Sequence, residues 1–192
     1  MPRLGPGLGL ALLLLALAPP VSAAPAKPAG HFLFAWAGDV AGKGDDFLAV
    51  IDADPASPDY GKLVTTVATD QPTREVHHTE YVMPESGMLF ANDHKAGRTF
   101  IFDLNDPLKP KVAAAFGDMA GFAHPHSFLR LPNGHVLASF QMTAAGADGG
   151  HDMAGMAMTG AGSHGGLVEI DDQGHVIRSA STADPAYPEA ML

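Results

Sequence analysis

The chain has 192 residues, of which 46% are hydrophobic, and a formal net charge of −10 at pH 7. An acidic chain without a Lys/Arg cluster is a poor partner for nucleic acid and for anionic membrane surfaces. Cysteine is absent, which excludes disulfides, thiolate metal sites and a cysteine nucleophile. Any chemistry in this chain therefore rests on His, Met, Asp, Glu or Tyr.

The first 23 residues have the pattern of a secretory signal peptide. Arg3 supplies a short positive region, residues 8–17 are an almost unbroken apolar run, and residues 21–23 are small where signal peptidase cuts. The run is too short to span a bilayer. We expect cleavage after Ala23, with residues 24–30 as a flexible lead-in and a mature protein that is periplasmic or secreted. A retained membrane anchor is the alternative.

Residues 31–192 are predicted to form β-strands in three successive units, at roughly 31–69, 76–116 and 124–182. Their short runs are rich in β-branched and aromatic residues and end in turn sequences such as PESG, LPNG and DDQG. A repeat of about 45–50 residues with four antiparallel strands is typical of β-propeller blades. We predict an all-β fold of about three such blades. A β-sandwich is the alternative, because strand spacing does not separate the two.

Three blades do not close a ring, since ordinary propellers have at least about four. We therefore expect the chain to be the N-terminal part of a longer propeller. A protein that completes its ring by oligomerising is the alternative.

Two histidine pairs, in the sequences EVHHTEY and AHPHS, are candidate metal ligands. Neighbouring residues of a regular strand point to opposite faces, so His77 and His78 can share an ion only from an irregular strand end. His124 and His126 are two apart and should face the same way. We predict that the first pair approaches the second at the channel end of adjacent blades. Hydrogen-bonded histidines at a blade edge are the alternative.

The other polar candidates are weaker. Asp39, Glu75, Glu80 and Asp93 could orient a ligating histidine, although acidic residues in blade turns more often cap backbone amides. His94, His135 and His175 lie in turns and are expected to be solvated.

A loop rich in Met, His and Gly, residues 142–166, interrupts the third unit. Thioether sulfur is a soft ligand that prefers Cu(I), so the loop is a candidate for copper loading rather than for catalysis. An insertion without a function is the alternative. Its candidate ligands are His151, Met153, Met156, Met158 and His164.

From about His31 to Ser181 the sequence resembles the selenium-binding protein / methanethiol oxidase family. DFLAVIDADPASPDYG and the double histidine carry the resemblance most specifically, followed by FDLNDPLKP and PNGHVLAS. The resemblance implies a propeller of about twice this length with a copper site lined by histidines. It also implies oxidation of methanethiol by O₂ to formaldehyde, hydrogen sulfide and hydrogen peroxide. Selenium binding is attached to cysteine in the family and is not expected here.

We therefore expect a secreted copper oxidase of methanethiol or a related small thiol, with a copper donor as a further partner. A non-catalytic periplasmic propeller that binds copper or scaffolds a partner is the alternative, because a histidine cluster serves both. A truncated, inactive product is a third reading.

Deleting residues 151–164 should leave the folded core and the histidine site intact, because the loop supplies no core aliphatic residues. The deletion should slow copper uptake at low free copper, because it removes soft ligands. Uptake by the two proteins is compared under reducing conditions, with zinc as the control metal. Equal copper uptake rates would leave the loop as a simple connection.

Overall fold

The structure is a computed structural model that describes residue 1 and residues 30–144 and 164–183. These residues form β-strands, turns and bends, with no α-helix among them. Accordingly, no helix in the described part of the chain is long and apolar enough to cross a membrane. The predicted signal peptide and lead-in lie outside the described residues, apart from Met1 and Gly30.

The strands form three antiparallel sheets, in each of which strands consecutive in sequence are neighbours. The first sheet contains β1 (Phe32–Ala37), β2 (Phe47–Asp52) and β3 (Leu63–Ala68). The second contains β4 (Val76–Thr79), β5 (Met88–Asp93), β6 (Arg98–Asp103) and β7 (Lys111–Phe116). The third contains β8 (Phe122–Arg130), β9 (Val136–Thr143), β10 (Gly166–Ile170) and β11 (Val176–Ser181). The predicted all-β fold of incomplete propeller-like blades is confirmed, with three described strands in the first sheet instead of four.

The second sheet is buried on both faces. Because side chains alternate along a strand, Leu89 and Ala91 of β5 pack with Leu48 of the first sheet. Phe90, between them, packs with Phe128 of the third sheet. The same alternation continues in β6. Phe100 and Phe102 belong to the hydrophobic cluster that contains Leu48, and Ile101 belongs to the cluster that contains Phe128. The three sheets are therefore stacked face to face, as propeller blades are.

This stacking places the first strands of the second and third sheets side by side. Strand β4 contacts β8 although the two belong to different sheets, and β1 also contacts β4. The two predicted histidine pairs lie on β4 and β8. The packing of the sheets thus brings the pairs together without any direct pairing between their strands.

Arg130, at the end of β8, fastens the third sheet to the second. Its Nε and Nη2 donate to the two carboxylate oxygens of Glu80 at 2.9 and 2.8 Å, and Nη1 donates to Asp172. Nη2 also donates to the Met88 carbonyl, and the guanidinium lies 5.5 Å from the centre of the Phe90 ring. The Glu80 side chain is only 3% exposed, and Arg130 is the cation that pairs with it.

Arg130→Met should lower the free energy of unfolding by an amount near the lower end of about 3–5 kcal/mol, because it leaves the buried Glu80 carboxylate without its cation. Urea unfolding, followed by the fluorescence of the single tryptophan, measures the loss. The control is Lys62→Met, because Lys62 and its partner Asp59 are 68% and 63% exposed, and an exposed ion pair contributes little to stability. Equal losses in the two variants would contradict the assignment.

Candidate metal centre

A β-bulge in β4 brings the adjacent histidines together. Val76 pairs with Asp93 of β5 and Thr79 pairs with Ala91, with a register shift between them. His77 and His78 therefore lie opposite a single residue, Asn92, and two residues opposite one is the definition of a bulge. A regular strand would send the two side chains to opposite faces, whereas here their ring centres are 4.1 Å apart.

His126 of β8 completes a group of three imidazoles. Its ring centre lies 4.9 Å from that of His77 and 4.7 Å from that of His78. One ring nitrogen from each of the three residues lies within 4.8 Å of the other two. Three imidazole nitrogens bound to one ion by bonds of about 2.0–2.1 Å lie about 3.3–3.6 Å apart, so the three rings are close enough to bind one ion after they move towards one another. We call His77, His78 and His126 the histidine triad.

His124, the remaining predicted ligand, lies outside this triad. Its φ of 57° places its backbone in the left-handed region, which non-glycine residues seldom adopt. The pairing of β8 with β9 also shifts register between Pro125 and Phe128. The regular two-residue repeat that would align His124 with His126 is therefore broken. The His124 ring packs against Gly97, where an added Cβ would lie 3.2 Å from Cε1 of the ring.

His94 is the histidine whose place the sequence did not reveal. It was expected to be solvated, but it is half-buried beside the triad. Its ring centre lies 5.1 Å from that of His77 and 5.7 Å from that of His126. Its Nε2 lies 3.2 Å from Oε1 of Gln141. The sequence does contain a signal for this position. His94 directly follows β5, and the last residue of β5 pairs with Val76, which precedes the double histidine.

The cluster disfavours added protons. Burial lowers the pKa of His126 to about 4, and repulsion from His78, His77 and His94 contributes to the decrease. Burial also lowers the pKa of His77, with further contributions from His78 and His94. These two rings are therefore neutral at pH 7, and a neutral imidazole has the lone pair that a metal requires.

The four acidic residues that the sequence suggests as partners of ligating histidines form hydrogen bonds or ion pairs with other groups. Asp93 accepts a 2.6 Å hydrogen bond from the Thr73 hydroxyl, and burial raises the pKa of its carboxyl. The other three cap a turn or form ion pairs: Asp39 accepts from the backbone amides of Ala41, Lys43 and Gly44, Glu75 pairs with Lys95, and Glu80 pairs with Arg130.

Four of the five candidate ligands in the loop lie outside the described residues. His151, Met153, Met156 and Met158 lie outside the described residues, and His164 lies at the start of the described segment that leads into β10.

Comparison with known proteins gives partial matches. No protein-family model matches the chain. Over 118 residues the chain is 33% identical to a methanethiol oxidase of Hyphomicrobium sp, an alignment that covers 59% of this chain and 27% of the relative. A methanethiol oxidase of Ruegeria pomeroyi is 29% identical over 114 residues, which cover 56% of this chain and 26% of the relative. The chain thus matches about a quarter of the length of each relative.

The fold has a counterpart among solved structures. The X-ray structure of a hypothetical selenium-binding protein from Sulfolobus tokodaii superposes with a TM-score of 0.54 at 19% sequence identity. The superposition covers 76% of this chain and 33% of the other. At this identity the likeness concerns the fold alone, and it agrees with the blade-like sheets.

In the metal-free protein, the ring of His126 should stay neutral until the pH falls to about 4. Since this pKa lies below the value of 6.5 for an unperturbed histidine, the unfolded chain binds more protons between these values. The free energy of unfolding should therefore fall as pH decreases from about 6.5 to about 4.

Nuclear magnetic resonance titration of the imidazole nitrogens tests this pKa. His78→Gln should raise the pKa of His126, because it removes the neighbour that repels the protonated ring most, whereas His175→Gln on the exposed surface should leave it unchanged. A midpoint near 6.5 in the unaltered protein would contradict the arrangement of the cluster.

Proposed function

Because the chain is related in sequence and in fold to the selenium-binding protein / methanethiol oxidase family, we propose that it oxidises methanethiol or a related small thiol with O₂. The proposed reaction consumes one water and yields formaldehyde, hydrogen sulfide and hydrogen peroxide. The proposed cofactor is a copper ion held by His77, His78 and His126. The observation that carries the proposal is the convergence of these three imidazoles from two sheets.

The donor set is suited to copper. Imidazole is a good ligand for copper, although it also serves zinc, nickel and iron. The chain has no cysteine, so neither a blue-copper centre nor a thiolate zinc site is possible. Three protein ligands leave a coordination position open for a substrate thiol. Copper bound there would lower the pKa of the thiol and accept electrons from it.

The protein contributes rigidity and access. His77 and His78 are supplied by the bulge of one sheet and His126 by the neighbouring sheet, so the ligands depend on the packing of both. His126 Nδ1 lies 3.0 Å from the Ser127 hydroxyl, which leaves Nε2 as the nitrogen available to an ion. His94, hydrogen-bonded to Gln141, lies beside two of the three rings. His77 is exposed, which gives a small substrate access from that side.

The proposed compartment follows from the predicted signal peptide. A periplasmic or secreted enzyme meets its thiol and O₂ outside the cytoplasm, and a copper donor would load it there. The Met/His/Gly-rich loop is proposed to assist that loading.

Three measurements on the purified, copper-loaded chain test the proposal together. They are its copper content, its electron paramagnetic resonance spectrum and its turnover of methanethiol. We expect one copper ion per chain, nitrogen hyperfine structure, and formation of hydrogen peroxide and hydrogen sulfide. His78→Gln and His126→Gln should lose both copper and product formation. His175→Gln should lose neither, because His175 is 74% exposed and pairs with Asp171.

The outcomes separate the candidate functions. Copper bound by the triad without product formation would favour a copper-binding propeller over an oxidase. Absence of stoichiometric copper binding would contradict both.

A further inference from the structure

Asn92 is a fully buried amide opposite the bulge that carries His77 and His78. A buried amide that lacks hydrogen bonds destabilises a fold, so the amides of buried side chains are normally hydrogen-bonded. Both ends of the Asn92 side chain have partners. Oδ1 accepts from the backbone N–H of His78 at 2.6 Å, and Nδ2 donates to the carbonyl of Pro125 at 3.0 Å.

The two partners of Asn92 belong to the two strands that supply the triad. His78 is itself a triad member on β4, and Pro125 directly precedes His126 on β8. One side chain thus joins the backbones of the two ligand-bearing strands. The backbone carbonyl of Asn92 also accepts from Nε1 of Trp36 at 2.8 Å, which ties the same residue to the first sheet. Asn92 is therefore bonded to residues from all three sheets.

The bulge explains why an amide is needed at this position. Where two residues of one strand oppose one residue of its neighbour, the extra residue is left out of the ladder of backbone hydrogen bonds. The Asn92 side chain takes the place of a backbone acceptor for His78. It can bond to β8 in addition, because an amide has a donor as well as an acceptor. Leucine has a similar volume but neither group.

We infer that Asn92 is a positioning residue, which sets the distance between His78 and His126 and so assembles the triad before any metal binds. The inference deepens the proposed function, because it concerns the same site. It predicts an effect on the metal-free protein as well, where it can be tested without copper or turnover.

The main variant is Asn92→Leu, and the matched control is Thr69→Val. Thr69 is also buried and its hydroxyl donates to the backbone carbonyl of Asp46 at 2.9 Å, so the control loses a buried hydrogen bond away from the triad. Asn92→Ser is the second variant. Its neutral hydroxyl keeps a donor and an acceptor on a shorter side chain that bonds to His78 or to Pro125 but does not join the two, so it should give an intermediate result and covers the case in which the leucine variant does not fold.

The first measurement is the nuclear Overhauser effect between ring protons of His78 and His126 in the metal-free protein, since their ring centres are 4.7 Å apart. It should be present in the unaltered chain and in Thr69→Val, weakened in Asn92→Ser and lost in Asn92→Leu. The second measurement is copper affinity by competition with a chelator. Asn92→Leu should bind copper about 10–100-fold more weakly, as is usual when a partner that orients a ligand is removed.

The results distinguish failure of this inference from failure of the proposed function. A retained ring contact in Asn92→Leu, or an equal loss in Thr69→Val, would overturn the role of Asn92 whatever the metal does. A ring contact that depends on Asn92 in a chain that binds no copper would support the positioning role and contradict the copper site.

Discussion

Both faces of the second sheet are apolar, and such a sheet can be buried only between two others. Phe90 and Ile101 face one neighbour, while Leu89 and Phe102 face the other. A shift of one residue in the register of β5 would exchange the two sets, so the stacking order and the register specify each other. The position of β4 beside β8 follows from this packing, and so does the meeting of histidines that are far apart in sequence.

Among the polar connections that cross the boundary between the second and third sheets in the described part of the chain, one lies towards each end of β8. Arg130 holds Glu80 at one end, and Asn92 holds Pro125 and His78 at the other. A polar group buried between apolar faces is favourable only with its partners in place. The two connections therefore do more than add stability: they penalise any sliding of β8 along β4, which would separate His126 from the double histidine.

Much of this arrangement could be predicted from the sequence, because it depends on local patterns. The alternation of apolar and polar residues and the turn residues predict the strands, their turns and their grouping into three units. The double histidine indicates a ligand site. The triad itself depends on backbone irregularities that no short pattern specifies. The bulge opposite Asn92 unites His77 and His78, and the left-handed backbone of His124 separates that residue from His126. The half-buried position of His94 could not be predicted for a related reason, because the burial of a turn residue depends on the elements that pack over it.

Burial and the neighbouring imidazoles disfavour protonation of His126 and of His77. Protonating His126 places a charge in a partly buried site beside other imidazoles, which is why its pKa falls to about 4. In the proposed copper site an ion would be bound by three lone pairs at once, and a ligand with a low pKa releases few protons when it binds above that pH. Proton competition at His126 would therefore be weak in neutral and mildly acidic surroundings. The packing that lowers the pKa of His126 and of His77 is the same packing that brings the three imidazoles together.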